Sequence, residues 1–138
     1  LPGLKKSVSQ VRDLIQNEID NGTPSDRIVL AGFSQGGVLA FQTALYFQKP
    51  LAGLLVLSTF LADAAGLSSD KCKMNAGIPI LMCHGQQDAV LPMSMGETAR
   101  KQLQQAGYEI EWREYPMAHE VCLDEIREIS RWLQQVLT

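Results

Sequence analysis

Four short segments, each set off by turn residues or a helical stretch, constrain this chain more than any other feature. Residues 27–33 (Arg27 to Phe33), 53–58 (Gly53 to Ser58) and 78–84 (Ile78 to His84) are near-continuous apolar runs, the pattern of strands buried on both faces. Pro79 stands near the start of the third, where a missing N–H is tolerated. Residues 109–115 (Glu109 to Tyr115) alternate polar and apolar, which predicts a half-exposed strand near a sheet edge. Leu4, Val8, Val11, Ile15 and Ile19 predict a helix over about 3–21, stopped by Asn21-Gly22-Thr23-Pro24. Further helices are predicted from Ser34 to about Phe47, ahead of Pro50, and from Met93 to about Ala106, closed by Gly107. A last one covers about 120–137, with Leu123, Ile126, Ile129, Leu133 and Val136 as its apolar face. Residues 59–77 carry no strong period and read as loop. Strands alternating with helices predict a single α/β domain over residues 1–138, a mostly parallel sheet with helices on both faces. In such sheets sites form at the carboxyl ends of the strands, so the residues just after each strand are where chemistry is expected.

The first strand runs into Gly32-Phe33-Ser34-Gln35-Gly36, a G-x-S-x-G match. A serine on a sharp strand-to-helix turn is lifted above the sheet, and glycines two residues to either side relieve the crowding that such a turn creates. The same turn points the N–H of Gln35, at a helix start, towards the reacting centre as an oxyanion donor. The bland alternative is a glycine-rich turn carrying an ordinary serine. After the third strand, Asp88 stands in a turn where a carboxylate orients an imidazole; its bland role is to cap that turn. Asp63 and Asp70 are rivals for the acid. After the fourth strand comes His119, one of two histidines and the general base that a serine nucleophile needs. His84 ends a buried strand and reads as structural. The order Ser34, Asp88, His119 is the nucleophile–acid–base order of an α/β-hydrolase, unlike that of other serine hydrolase folds.

Composition removes other classes. Twelve basic against fifteen acidic residues give a net charge of −3 with no basic stripe, so neither nucleic acid nor an anionic membrane surface is an expected partner. The longest apolar run, Leu51 to Leu57, is too short to span a bilayer. Cys72, Cys83 and Cys122 are odd in number and lack C-x-x-C spacing. They predict neither a disulfide framework nor a zinc site, and free thiols fit a cytoplasmic setting.

Residues 27–37, 84–92 and 115–121 resemble, respectively, the nucleophile, acid and histidine segments of the phospholipase/carboxylesterase family, which includes acyl-protein thioesterases. The similarity runs through nearly the whole chain. It implies hydrolysis of carboxylic esters or thioesters, with Ser34 as nucleophile, Asp88 as acid and His119 as base, no cofactor and no metal. The substrates it implies are small acyl esters, thioesters or lipids. Phe60 and Leu61 lie where the family has an apolar stretch beside its acyl pocket, although both also fit as core residues. Met93 and Met95 read as packing. Two positions depart from the family: Ala118 replaces a usual glycine before the histidine, and nothing matches the H-G-x-G-type loop that supplies the second oxyanion donor.

Two alternatives stay open. One is a non-catalytic fragment or interaction domain that keeps the triad residues; the other is a different acyl-transfer or peptidase branch of the same fold. The family's sheet order puts the other three strands to one side of the nucleophile strand, so the sequence is expected to be the C-terminal, four-stranded part of the full fold. Its open edge is expected to pair with N-terminal strands or to self-associate. Sedimentation and esterase assays on the 138-residue chain check this: association with weak turnover is expected, and a monomer with full turnover is the contrary result.

Overall fold

The computed structural model describes residues 3–70 and 73–138; Cys72 lies outside them. The elements run α1 (Leu4–Asp20), β1 (Val29–Phe33), α2 (Gln35–Ala44), β2 (Gly53–Leu57), β3 (Ile80–Gly85), α3 (Met93–Gln105), β4 (Ile110–Tyr115) and α4 (Leu123–Val136), with 3₁₀ turns at Ser25–Arg27 and Ala65–Ser68. The four strands form one sheet in the order β1-β2-β3-β4. Every pairing is parallel: Ala31 lies opposite Leu55, Val56 opposite Met82, and Met82 opposite Trp112.

Alternation along the strands splits the core in two. Leu54, Val56, Ile80 and Met82 face α1, α2 and α3, meeting Ile15, Phe41, Leu45 and Leu103. Leu55, Leu81 and Cys83 face the opposite way onto Trp132 of α4. Both faces of the sheet are therefore covered, as βαβ connectivity requires. Gly107 ends α3 at φ 96°, and the Tyr108 N–H donates to the Leu103 carbonyl at 3.0 Å, the glycine-terminated helix end that the sequence predicts.

Two expectations need correction. β1 is half exposed rather than buried, with Ala31 and Phe33 open to solvent. Among the described residues β2 is its one neighbour, and all other strands lie to that side. On α4, Leu123 and Ile126 are 61% and 51% exposed. The buried face is Glu125 and Trp132, with Ile129, Leu133 and Val136 packed beside them. A helix this short presents only one stripe to the sheet, and the bulk of Trp132, seated over Gly53, sets which stripe it is. A Cβ at Gly53 would stand 2.7 Å from the indole. Trp132→Ala should cost about 3–5 kcal/mol, whereas Leu123→Ala should stay within about 0.5 kcal/mol; urea unfolding midpoints measure both.

Candidate active site

The site is built at the carboxyl end of the sheet, from the turns after β1, β2, β3 and β4. Ser34 follows β1 at φ 57° and ψ −121°, one of two non-glycine residues with positive φ among the described residues; Ser58, after β2, is the other at φ 52°. The Ser34 N–H donates to the Leu57 carbonyl at 2.9 Å, continuing the β1–β2 ladder one residue past the strand. Its side chain makes no helix-capping hydrogen bond, so the hydroxyl is left for another partner. The glycines around it do not act as the flanking-pair argument expects. A Cβ on Gly32 would lie 2.1 Å from the Gly36 carbonyl oxygen, which forbids one, but a Cβ on Gly36 would meet nothing. The second crowded glycine is Gly37, whose missing Cβ leaves room for Thr59.

Asp88 makes both kinds of contact that the sequence leaves open. Its Oδ1 accepts from the Val90 and Leu91 N–H groups at 3.0 and 2.8 Å, which closes the turn. Its Oδ2 faces His119 Nδ1 at 2.7 Å. Burial pushes its carboxyl up, but the Leu91 N–H, the His119 ring and the Val90 N–H outweigh this and leave it below the usual range. The acid loop is stitched to the histidine loop, with Gln86 N–H donating to the Tyr115 carbonyl at 2.8 Å and Gln87 N–H to the Met117 carbonyl at 3.0 Å. Gly85 permits that approach, since a Cβ there would lie 2.4 Å from the Met117 and Ala118 carbonyl oxygens.

His119 lies between the two. A carboxylate only accepts, so Nδ1 carries the proton and Nε2 presents its lone pair. That Nε2 is 3.0 Å from Ser34 Oγ, and the Phe33 ring packs on the imidazole at 4.8 Å between centroids. Ala118, the departure from the usual glycine, does not have positive φ, so its methyl is tolerated. Asp63 and Asp70 are elsewhere: Asp63 accepts from the Gly66 N–H, and Asp70 pairs with Lys73 on the surface. His84 is buried, its Nε2–H donating to the Leu91 carbonyl at 2.8 Å, 3.6 Å from Asp88 Oδ2. Cys83 is buried in the sheet, and burial, followed by the charge of Glu125, pushes its thiol up to about 12. Phe60 is half buried, and Leu61 packs against the main core. Among the described residues no cluster of His, Cys, Asp and Glu could hold a metal ion, and no helix is long and apolar enough to cross a membrane.

Residues 2–137 match the phospholipase/carboxylesterase family. The chain belongs to that family. It is 38% identical over 138 residues to acyl-protein thioesterase 1 of Neurospora crassa, covering 98% of this chain and 56% of the relative. Against acyl-protein thioesterase 1 of Gibberella zeae it is 35% identical, with 98% and 59% covered. The crystal structure of Arabidopsis thaliana SOBER1 superposes with a TM-score of 0.92 at 29% identity, over 98% of this chain and 65% of that one. Zea mays acyl-protein thioesterase 2 gives 0.85 at 25% identity. The chain thus spans a little over half the length of those two fungal relatives. The family's fold is the α/β-hydrolase fold expected from the strand-end residues, here with four parallel strands.

Two contributors were not singled out from the sequence. Thr59 reaches the Ser34 carbonyl (below), and its signal was only a polar residue just past an apolar strand. Glu125 is fully buried; a glutamate at the third position of a helix behind a polar N-cap is the signal of a capping box. Its Oε1 accepts from the Cys122 N–H at 3.3 Å, which secures the start of α4 just after the His119 loop, while among the described residues Oε2 has no hydrogen-bond partner. Burial holds its carboxyl above the ordinary value of 4.5, against the lowering effect of the Cys122 N–H. A raised folded-state pKa means that the folded chain binds this proton more tightly than the unfolded chain, so its contribution to stability falls as pH rises above 4.5. Asp88, with a lowered value, works in the opposite sense. Glu125→Gln removes the first effect and leaves the second, so the variant should lose less stability than the parent between about pH 4.5 and 7.5, measured by denaturant unfolding at both ends.

Proposed function

We propose that this chain carries the catalytic machinery of a serine hydrolase acting on carboxylic esters or thioesters. The reading rests on one observation, the hydrogen-bonded line from Ser34 Oγ through His119 Nε2, 3.0 Å away, to Asp88 Oδ2, 2.7 Å from His119 Nδ1. Ser34 attacks the acyl carbon while His119 takes its proton. Asp88 fixes the Nδ1–H tautomer and stabilises the imidazolium that forms. His119 then passes the proton to the departing alcohol or thiol, and an acyl-serine ester remains. Water, deprotonated by the same imidazole, cleaves that ester and regenerates the hydroxyl. The Gln35 N–H, at the N-terminus of α2, stabilises the oxyanion at each tetrahedral stage. Phe60 and Leu61 form the acyl side of the site. The acyl donor is a small ester, a thioester or a lipid, and the setting is cytoplasmic.

Exposed apolar side chains close in sequence to Ser34, Asp88 and His119 support an apolar acyl group. Phe33 stands 38% exposed against His119, and Val90 and Val121, two residues from Asp88 and His119, are 74% and 43% exposed. The alternative of a non-catalytic interaction domain predicts no covalent modification of Ser34. A fluorophosphonate probe separates the two, because only an activated serine is labelled. Ser34→Ala and His119→Ala should each abolish hydrolysis of a p-nitrophenyl ester about as completely as the double variant does, because the groups act as one unit. Losses that add on a logarithmic scale are the contrary result.

A further inference from the structure

We infer that Thr59 is a positioning residue that aims the Gln35 N–H by holding the carbonyl on the other side of the same peptide. The inference rests on the proposed roles of Ser34 and Gln35. Thr59 follows β2 and is 1% exposed. Its Oγ1–H donates to the Ser34 carbonyl oxygen at 2.7 Å. That oxygen also accepts from the Gly37 N–H at 2.9 Å and the Val38 N–H at 3.3 Å, so the first turn of α2 and the end of β2 converge on it.

The carbonyl of Ser34 and the N–H of Gln35 share one planar trans peptide. In such a unit the two groups point in opposite directions, and a rotation that moves one moves the other. The plane is set by ψ of Ser34, which at −121° with φ 57° lies outside the broad allowed regions. Local backbone preference therefore does not hold this plane, and external partners must. Among the described residues Thr59 supplies the one partner from outside α2. Its hydroxyl also polarises the amide, which strengthens the N–H on the far side as a donor.

The surroundings are shaped for this contact. A Cβ on Gly37 would stand 2.6 Å from Thr59 Cβ and Cγ2 and 2.7 Å from Oγ1, so the third glycine of the Gly-Phe-Ser-Gln-Gly-Gly run is what admits Thr59. Ser58 adopts φ 52° while fully buried, its hydroxyl without a hydrogen-bond partner among the described residues. Its N–H still donates to the Cys83 carbonyl at 2.8 Å. The strand is thus anchored up to Ser58 and turned there, at a conformational cost, which delivers Thr59 onto the nucleophile turn.

Thr59→Val deletes the hydroxyl and keeps the shape; Thr59→Ser keeps the hydroxyl. In the 138-residue chain, Thr59→Val should slow labelling of Ser34 by a fluorophosphonate about tenfold, less than the loss on deleting an oxyanion donor outright. Thr59→Ser should label within about twofold of the parent. In ¹H–¹⁵N spectra the Gln35 amide proton should move upfield in Thr59→Val and return in Thr59→Ser, which a loss of stability alone does not produce. Labelling at the parental rate in Thr59→Val, or no recovery in Thr59→Ser, overturns the inference. If Thr59→Val does not fold, Thr59→Ala, which also lacks the hydroxyl and adds no bulk, takes its place. Failure of the parent chain to label overturns the nucleophile reading instead. In that case an unmoved Gln35 amide in Thr59→Val overturns the inference separately.

Discussion

Ser34 is held at φ 57° and ψ −121°, a backbone state that costs about 1–3 kcal/mol and lasts only where its surroundings leave no alternative. Three surroundings do so. The Leu57 carbonyl takes its N–H, the Thr59 hydroxyl and two N–H groups of α2 converge on its carbonyl, and Gly32 lets the first turn of α2 fold back against the strand. The Leu57 and Thr59 contacts depend on β1 and β2 being parallel and in register, with Phe33 beside Leu57. The sheet is therefore the reference frame for the site, and a slip of one residue between these strands would remove the contacts that hold the turn.

The other half of the site uses the same device. The ladder between β3 and β4 continues past the strand ends through Gln86 and Gln87, which ties the Asp88 loop to the His119 loop. Asp88 divides its oxygens between closing its own turn and facing His119. Its side chain is thus fixed from both ends. Behind it, His84 ties the Leu91 carbonyl to β3 and fills the space against Gly96, where a Cβ would come within 2.6 Å of Nδ1. Beyond His119, Glu125 anchors the start of α4 with an interior oxygen that has no hydrogen-bond partner among the described residues. Stability is given up there to fix where α4 begins.

The element order, the three strand-end residues and the C-terminal glycine of α3 were legible in the sequence, because they rest on local rules. A run of Val, Ile and Leu bounded by turns is a strand wherever it lands, and glycine at positive φ ends a helix in any fold. The face of α4 was legible only in part: Ile129, Leu133 and Val136 pack as their spacing predicts, but Leu123 and Ile126 do not. Leu123 and Ile126 fit a helical stripe as well as Trp132 does, and only the space over Gly53 decides which of them is buried. The exposure of β1 was misjudged for the same reason, since burial depends on which neighbours a strand has and composition does not report them.

The sequence by itself placed a serine, a carboxylate and an imidazole just after the first, third and fourth strands, because a strand-to-turn boundary is a local signal. Only the tertiary structure decided that they meet. Ser34 and His119 are 85 residues apart in the chain and 3.0 Å apart in space, a closure made by the parallel register of four strands. It also decided which glycines matter, and why. Gly36, inside the motif, has open space where a Cβ would go, while Gly37, beside it, faces Thr59. A glycine's purpose is set by what stands opposite its missing side chain, and that neighbour comes from the far end of another strand.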